Sequence, residues 1–431
     1  MENVFRTIKR LIPKKLFARL QPVYHFLLAL LAALLYRFPS RHIKVVGITG
    51  TKGKTSTAEL VNAVLEAAGQ KTALAGTLRF KIGEKSEPNL YKMTMPGRFF
   101  IQRFLRRAVS AKCDWAVLEL TSEGAKQSRN KFIDLDALVF TNLAPEHIES
   151  HGSYEAYRDA KLRLAYALEK SAKPNRCLIA NADDKEAKKF LAIDVPRKFP
   201  FRLRNVGAHK LTDAGVELIF KGEHIHSPLR GLFNVYNITA AATFADSQGI
   251  KPNIIKKGVE SLSTIRGRAE EIRAGQDFTV VVDYAHTPDS LRAVYEAYEG
   301  KKKICVVGNT GGGRDKWKRP EMGHIADAFC HHVILTNEDP YDENPKTILE
   351  EMTVGMKKQK PEIILDRRAA VARALSLAQR LHKSKGTDVA VLITGKGTDP
   401  YIMGPSGTKQ PWSDSAVARE EIAKLLTRQT D

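Results

Sequence analysis

Cysteine is scarce in this chain, 4 in 431 residues. Cys113, Cys177, Cys305 and Cys330 make no Cys-x-x-Cys pair and accompany no His-rich ligand spacing. That scatter excludes a zinc-ribbon type of site and a stapled mini-scaffold; it predicts buried thiols, no disulfide and a reducing compartment. Acidic residues are also in deficit: 69 Lys and Arg face 48 Asp and Glu, a formal charge of +21. The balance favours anionic partners, among them nucleotides, phosphorylated substrates and acidic membranes. Because the basic residues are dispersed and no nucleic-acid module is recognisable, nucleic acid is not an expected partner. Long hydrophobic runs are missing too. The apolar stretch at 23–36 is 14 residues, short of the roughly 20 that a helix needs to cross a bilayer. There is no internal repeat and no low-complexity tract.

Arg6, Lys9, Arg10, Lys14, Lys15 and Arg19 precede that stretch, His25 is its only strongly polar member, and Arg37 and Arg41 follow it. Residues 1–40 therefore suit a helix lying in the interface of an anionic membrane. They equally suit a helix packed on its own domain or on a partner protein. No small-x-small cleavage site follows, which argues against a secretory signal. The expected location is the cytoplasm, and for an interfacial helix the inner face of the membrane.

What the chain does contain begins at residue 44. An apolar strand runs into Gly50-Thr51-Lys52-Gly53-Lys54-Thr55-Ser56 and then into a helix pattern at 55–68. Such a turn offers backbone N–H groups and a helix N-terminus to phosphates, with Lys54 reaching the outer phosphates and the Thr55 hydroxyl suited to Mg²⁺. The spacing is not the standard phosphate-loop pattern, since the glycines fall at Gly47, Gly50 and Gly53 with Ile48 five positions before Gly53. ATP is the expected nucleotide.

Further along, short apolar runs at 43–48, 115–120, 137–141 and 177–180 alternate with helix patterns at 154–168 and 235–248. A second series, with strands at 279–283, 303–307, 332–336 and 389–394, carries helices at 290–298, 320–329, 367–381 and 415–426. The class is α/β: a central parallel-sheet ATPase domain followed by a Rossmann-like doubly wound domain. The polar segment around Arg266-Gly267-Arg268 places the hinge, giving domains at 41–266 and 267–431. Glu119 closes one strand at the carboxyl edge, where ligands gather in open parallel sheets. A carboxylate there suits Mg²⁺ together with Thr55. His147 and His151 share a loop with Glu146 and Glu149, and Lys161 follows on a helix.

Those residues, with Thr121-Ser122, Thr141-Asn142, Asn181-Ala182-Asp183-Asp184, Asn234, Asn237, Asp283-Tyr284-Ala285-His286-Thr287-Pro288-Asp289, Gly313-Arg314-Asp315-Lys316 and Gly395-Lys396-Gly397, make a pattern that resembles the Mur ligase family, and within it the UDP-N-acetylmuramyl-tripeptide synthetases. The resemblance runs from about residue 43 to the end. It implies an ATP-dependent amide ligation in cell-wall peptidoglycan synthesis, in which a substrate carboxylate takes the γ-phosphate and an amine displaces phosphate. Lys54, Glu119, His147 and Lys161 would be catalytic. Thr55, Glu119, His147 and a carbamylated Lys161 would hold two Mg²⁺ ions. Gly50 to Ser56, Asn234, Asn237, Arg268, Asp283 and His286 would bind ATP. Thr94, Thr121, Ser122, Arg129, Arg314, Asp339, Gly395 and Asp399 would bind the UDP-muramyl peptide and the amino acid.

Several positions depart from that pattern. Only about forty residues precede the phosphate loop, where the family carries a separate domain for the uridine end. Glu338-Asp339-Pro340-Tyr341 replaces the Asp-Asn-Pro-Arg of diaminopimelate-adding members. A tyrosine cannot pair a second carboxylate in bidentate fashion, so meso-diaminopimelate is disfavoured unless Arg314 or Lys316 compensates. Glu123 stands where His is usual, Glu146 and Glu149 where Asp is usual, and Thr398-Asp399 where His-Glu is usual. Two other readings stay open: a ligase of the same kind acting on a lipid-linked precursor or a polyglutamate chain, and a phosphate-loop ATPase that works as a switch.

Overall fold

The computed structural model describes residues 14–146 and 148–427. His147, an expected metal ligand, lies outside the described residues. The chain divides into two compact units. The first comprises the chain up to Leu143, Glu155–Asn205 and Thr239–Gly258; the second comprises Ala144–Tyr154, Val206–Ile238 and the chain from Val259 onward.

The first unit opens with helix α1 (Lys14–Leu35), which carries Pro22 within it and extends well before the apolar stretch that announced it. Among the described residues no helix is long and apolar enough to cross a membrane. The sheet that follows contains β1 (Lys44–Thr49), β2 (Thr72–Ala75), β3 (Arg79–Ile82), β4 (Lys85–Pro88), β5 (Trp115–Glu119), β6 (Ala137–Phe140), β7 (Cys177–Asn181) and β8 (Arg197–Phe201). Its order is β4-β3-β2-β5-β1-β6-β7-β8. The strands from β2 to β8 pair in parallel, while β3 and β4 form an antiparallel ribbon at one edge. Near-continuous apolar runs such as Val45, Val46 and Ile48 are buried, as expected for strands covered on both faces. Helices α2 (Lys54–Ala67), α3 (Arg98–Ser110) and α4 (Tyr154–Glu169) belong to this unit.

In the second unit, β9 (His209–Thr212), β10 (Gly215–Phe220) and β11 (Glu223–Ser227) form a small antiparallel sheet. Helix α5 (Leu232–Ser247) begins in this unit, and its residues from Thr239 onward belong to the first. The larger sheet has the order β12-β13-β17-β14-β15-β16, from β12 (Glu270–Glu271), β13 (Thr279–Asp283), β14 (Lys302–Val307), β15 (His332–Leu335), β16 (Glu362–Ile363) and β17 (Val389–Thr394). Only β12 is antiparallel to its neighbour. One face packs on α6 (Pro288–Glu296) and α7 (Lys318–Phe329) through Leu291, Tyr295 and Met322. The other packs on α8 (Arg367–Lys385) and α9 (Asp414–Thr427) through Val371, Leu375 and Ile422. That is a doubly wound arrangement.

The expectation of no disulfide is corrected. Cys305 on β14 and Cys330 at the end of α7 are bonded, with Cα atoms 6.1 Å apart. Twenty-five residues separate them in sequence, but α7 returns the chain to the sheet beside β14, which spacing alone does not reveal. Cys113 and Cys177 are free and buried.

Candidate functional site

The turn between β1 and α2 is held in shape by the residues after β6. Thr51 N–H donates to the Asn142 carbonyl at 2.8 Å and Lys52 N–H to Asn142 Oδ1 at 2.9 Å. In return Thr141 Oγ1 and Asn142 Nδ2 donate to the Lys52 carbonyl, at 2.7 and 3.2 Å. Gly50 has φ +149°, and a Cβ on it would collide with Thr141 Oγ1, so this crossing admits no side chain. Lys54 Nζ folds back onto the carbonyls of Gly50 (3.0 Å) and Thr51 (2.9 Å). Gly53 caps α2 in the left-handed region, φ 78°, and the helix N-terminus behind it favours an anion.

Glu119, 2% exposed, is the next anchor. Thr55 Oγ1 donates to its Oε2 at 3.0 Å, Thr77 Oγ1 does the same at 3.0 Å, and Thr77 N–H donates to Oε1 at 2.7 Å. A hydroxyl and a carboxylate in contact at the loop are hard oxygen donors of the sort Mg²⁺ takes, so Thr55 and Glu119 fit that ion. Lys161 is 2% exposed on α4, and its Nζ donates to the Gly50 carbonyl at 2.7 Å while lying 4.8 Å from the Tyr157 ring centroid. Tyr157 is tied in turn to the loop through Thr51 Oγ1 at 3.0 Å. The loop, Glu119 and Lys161 thus form one network within the first unit.

A polar strip leads away from Glu119. Thr77 and Thr94 share a hydroxyl contact at 2.9 Å, and Arg129 bonds the Met95 carbonyl next to Thr94 and Gln127 Oε1. Arg98 donates twice to the Gln127 carbonyl, at 3.0 and 2.6 Å, and bonds His25 Nδ1 of α1. Burial lowers the pKa of both guanidiniums, and in Arg98 the neighbouring charge of Arg129 adds to the effect. Thr121 caps a short helix by accepting from Gly124 N–H at 3.0 Å, and Ser122 is buried beside it. Thr77, Arg98, Asn142 and Tyr157 were not singled out in the sequence as site residues. Thr77 and Arg98 have no motif around them, whereas Asn142 stood in a quoted string without a role.

In the second unit Asn237 Nδ2 donates to Asn234 Oδ1 at 3.0 Å, and Asn234 Nδ2 donates to the Arg230 carbonyl, 2.7 Å. Asp283 accepts from the N–H groups of Ala269 and Ala285, both 2.6 Å; burial raises its pKa and Arg268 works in the opposite sense. The Arg268 guanidinium lies 4.7 Å from the Tyr284 ring centroid. His286 bonds the Tyr284 carbonyl through Nδ1 (2.8 Å) and Glu146 through Nε2 (3.1 Å). A distinct cluster surrounds Lys396, wholly buried and bonded to Asp339 (2.8 Å), Asp399 (3.0 Å) and the Tyr401 carbonyl (2.7 Å). Asp399 is thereby occupied by an internal cation. Among the described residues, Glu338 Oε2 is buried without a hydrogen-bond partner, while its Oε1 accepts from Thr310 at 2.6 Å. Gly395, φ +105°, gives it room, since a Cβ there would strike Oε2. Lys316 pairs with Glu343 at 3.2 Å, whereas the charge of Arg314 reaches Tyr284 and Tyr341 and draws both phenols downward, against the larger upward pushes from Asp399 on Tyr284 and from burial on Tyr341.

Residues 48–245 match the model of the Mur ligase middle domain, and residues 267–397 that of the Mur ligase, glutamate ligase domain. A UDP-N-acetylmuramoyl-L-alanyl-D-glutamate–2,6-diaminopimelate ligase of Syntrophomonas wolfei is 38% identical over 390 residues, covering 87% of this chain and 78% of the relative. A UDP-N-acetylmuramyl-tripeptide synthetase of a Roseiflexus species is 35% identical, covering 92% and 82%. Among solved structures, a folylpolyglutamate synthase of Mycobacterium tuberculosis complexed with ADP has TM-score 0.69 over 92% of each chain at 18% identity, a likeness of fold alone.

Proposed function

Because the chain belongs to the Mur ligase family, we propose that it is an ATP-dependent ligase that joins an amino acid to a UDP-N-acetylmuramoyl-dipeptide in peptidoglycan synthesis. The observation that carries this reading is the single network joining Lys54, Thr55, Glu119 and Lys161 around the turn at Gly50. Phosphoryl transfer needs positioning and charge neutralisation more than covalent help. In this reading the N–H groups at the start of α2 and Lys54 orient the terminal phosphate of ATP, the acceptor carboxylate attacks it to give an acyl phosphate with ADP leaving, and the amine of the incoming amino acid then attacks the acyl carbon and displaces phosphate. Thr55 and Glu119 would hold Mg²⁺, which supplies positive charge where phosphate oxygens gather charge; His147 is proposed as a further ligand. Thr94, Thr121, Ser122 and Arg129 would bind the acceptor.

Lys161 is proposed to be carbamylated. Addition of CO₂ converts the buried ammonium into a carboxylate-like group suited to a second hard cation. The nitrogen keeps one N–H, so the bond to Gly50 can persist. Replacing Lys161 by Ala should abolish turnover, with partial return on adding a short carboxylic acid; full activity without rescue would remove the role.

Residues 41–266 would serve as the ATP-binding domain, with Asn234, Asn237, Arg268, Asp283 and His286 completing the nucleotide contacts. Residues 267–431 would bind the amino acid, through Arg314, Asp339, Gly395 and Asp399. The partnerless Glu338 oxygen and the tyrosine at 341 favour an incoming amino acid with an amine to donate over one with a second carboxylate. A panel of amino acids with UDP-muramyl dipeptide and ATP, scored by product mass, tests both halves. Phosphate release indifferent to amino acid would overturn ligation, and preferred use of meso-diaminopimelate would overturn the amino-acid assignment.

A membrane role for residues 1–40 has its own observation. Leu20, Tyr24, Leu27, Leu31 and Leu34 recur at alternating four- and three-residue spacing on α1, each more than half exposed, and no Asp or Glu stands between Glu2 and Glu59. An apolar stripe in an all-basic setting suits the inner face of an anionic bilayer. In flotation with anionic vesicles, the full chain should rise and a Leu27→Glu/Leu31→Glu variant should not. Equal partitioning, or a concentration-dependent dimer lost in the same variant, would reassign the stripe.

A further inference from the structure

At the edge of the first unit, the β3–β4 ribbon and α3 enclose a groove of about 970 Å³ that belongs to none of the residues discussed so far as nucleotide or magnesium ligands. Its wall is aromatic. Phe80 and Phe100 lie 4.7 Å apart by ring centroids, and Tyr91, more than half exposed, stands 5.2 Å from Phe100. Its rim is basic, with Lys71, Lys85, Arg103, Arg106 and Arg107 against Glu84 and Glu87.

Not all of those cations serve the fold alone. Arg106 donates to the carbonyls of Tyr36 and Arg37, at 2.9 Å each, and so ties α1 to α3. Arg103 and Arg107 are exposed, one turn apart on the same face of α3, and no ion pair offsets either of them among the described residues. Like charges at that spacing destabilise a helix slightly, so the pair costs stability until an anion arrives. The Arg103 guanidinium lies 6.0 Å from the Phe100 centroid. The rings are tilted, Tyr91 by 65° to Phe100, so a base laid on the face of one meets the edge of the other, and the guanidiniums beside them can fork onto phosphate oxygens.

The groove is also connected to the strip leading from Glu119. Asn89 Nδ2 donates to the carbonyls of Gly76 (2.9 Å) and Met93 (3.0 Å), and its Oδ1 accepts from Tyr91 N–H (2.9 Å). That side chain fixes a short loop with Tyr91 in the groove and Thr94 against Thr77. Three residues span at most about 10 Å, so one extended ligand can touch both.

We propose that this groove binds the nucleoside diphosphate end of the acceptor, with the base on Tyr91 and Phe100 and the two phosphates on Arg103 and Arg107. The uracil identity rests on the ligase reading; the diphosphate and aromatic chemistry does not. The probe is UDP itself, added to the full chain already saturated with ADP so that the phosphate loop is filled. Saturable UDP binding is expected, weakened about tenfold or more in an Arg103→Glu/Arg107→Glu variant. The same variant should raise KM for the UDP-linked acceptor by a similar factor while kcat and ADP affinity hold. Absence of UDP binding, binding untouched by the substitutions, or farnesyl diphosphate preferred over UDP would each overturn the proposal. Should UDP bind as described while turnover never depends on an amino acid, the ligase reading fails and the groove survives; the reverse result removes the groove alone.

Discussion

In the first unit Lys54 turns back onto the carbonyls of its own loop, whereas in the second Lys396 is clasped between two carboxylates. The two lysines are both close to glycines and both belong to motifs, yet their surroundings give them opposite roles. A cation resting on carbonyl oxygens can exchange those contacts for phosphate oxygens at little cost. A buried cation between two acids cannot leave without stranding both. Lys396 is therefore a structural neutraliser that holds Asp339 and Asp399 in place, beside Glu338, for the recognition proposed for this unit.

The largest effect expected from this contrast is on stability. Lys396→Met keeps the volume and takes the cation away from buried Asp339 and half-buried Asp399, so unfolding of the second unit should ease by roughly 3–5 kcal/mol. Denaturant melts read on the unit's own tryptophans, Trp317 or Trp412, would measure it. Lys54→Met should leave the melting of either unit nearly unchanged, and equal destabilisation by the two substitutions would erase the comparison.

Next comes Glu119→Gln, which preserves shape and removes charge. Loss of one preorganised electrostatic group typically lowers kcat on the order of 10²–10³. Amino-acid-dependent phosphate release is the assay, and a variant that retains wild-type turnover would take Glu119 out of the site. A smaller effect is expected from Asn142→Ala, which leaves the Lys52 N–H without its side-chain acceptor and frees the turn. About 1–3 kcal/mol of ATP binding should be lost, visible as weaker nucleotide affinity with the acceptor affinity unchanged.

How much of this was legible beforehand differs between the two regions for a physical reason. The strands at 279–283 and 389–394 and the turn at Gly50 follow from local rules: apolar runs bounded by turn residues, and glycines where a backbone must cross closely. Strands β4 (Lys85-Ser86-Glu87-Pro88) and β9 (His209-Lys210-Leu211-Thr212) escaped because they carry too little hydrophobic alternation to register, and β3, which alternates Phe80 and Ile82, is only four residues long. The groove was invisible for a different reason: its aromatic wall, Phe80, Tyr91 and Phe100, comes from three separate segments that only the fold brings together. Lys396 was read as part of a motif, but its partners Asp339 and Asp399 lie 57 and 3 residues away, and only the fold shows that Asp399 is already paired. The Cys305–Cys330 bond likewise depends on a helix that returns to its sheet.

His25 supplies the smallest effect and the finest probe, because it is the one strongly polar residue in the apolar part of α1 and it sits on Arg98. Burial, followed by the charges of Arg98 and Arg129, lowers its pKa from the ordinary 6.5. As a neutral ring it accepts from the Arg98 guanidinium through Nδ1; as a cation it cannot. A depressed pKa means that the stabilisation is fully present above 6.5, the unfolded value, and is lost as pH falls through the lower folded value. Amide protection along α1, taken relative to the intrinsic exchange rate at each pH, should therefore fall as pH drops below 6.5, while protection in β13 and β17 of the second unit holds steady over the same range. A His25→Gln variant keeps an acceptor and cannot titrate, so the protection of its α1 should lose that pH dependence. If α1 in the variant still loosens on acidification, the attachment is governed by other groups and His25 is only a packed ring.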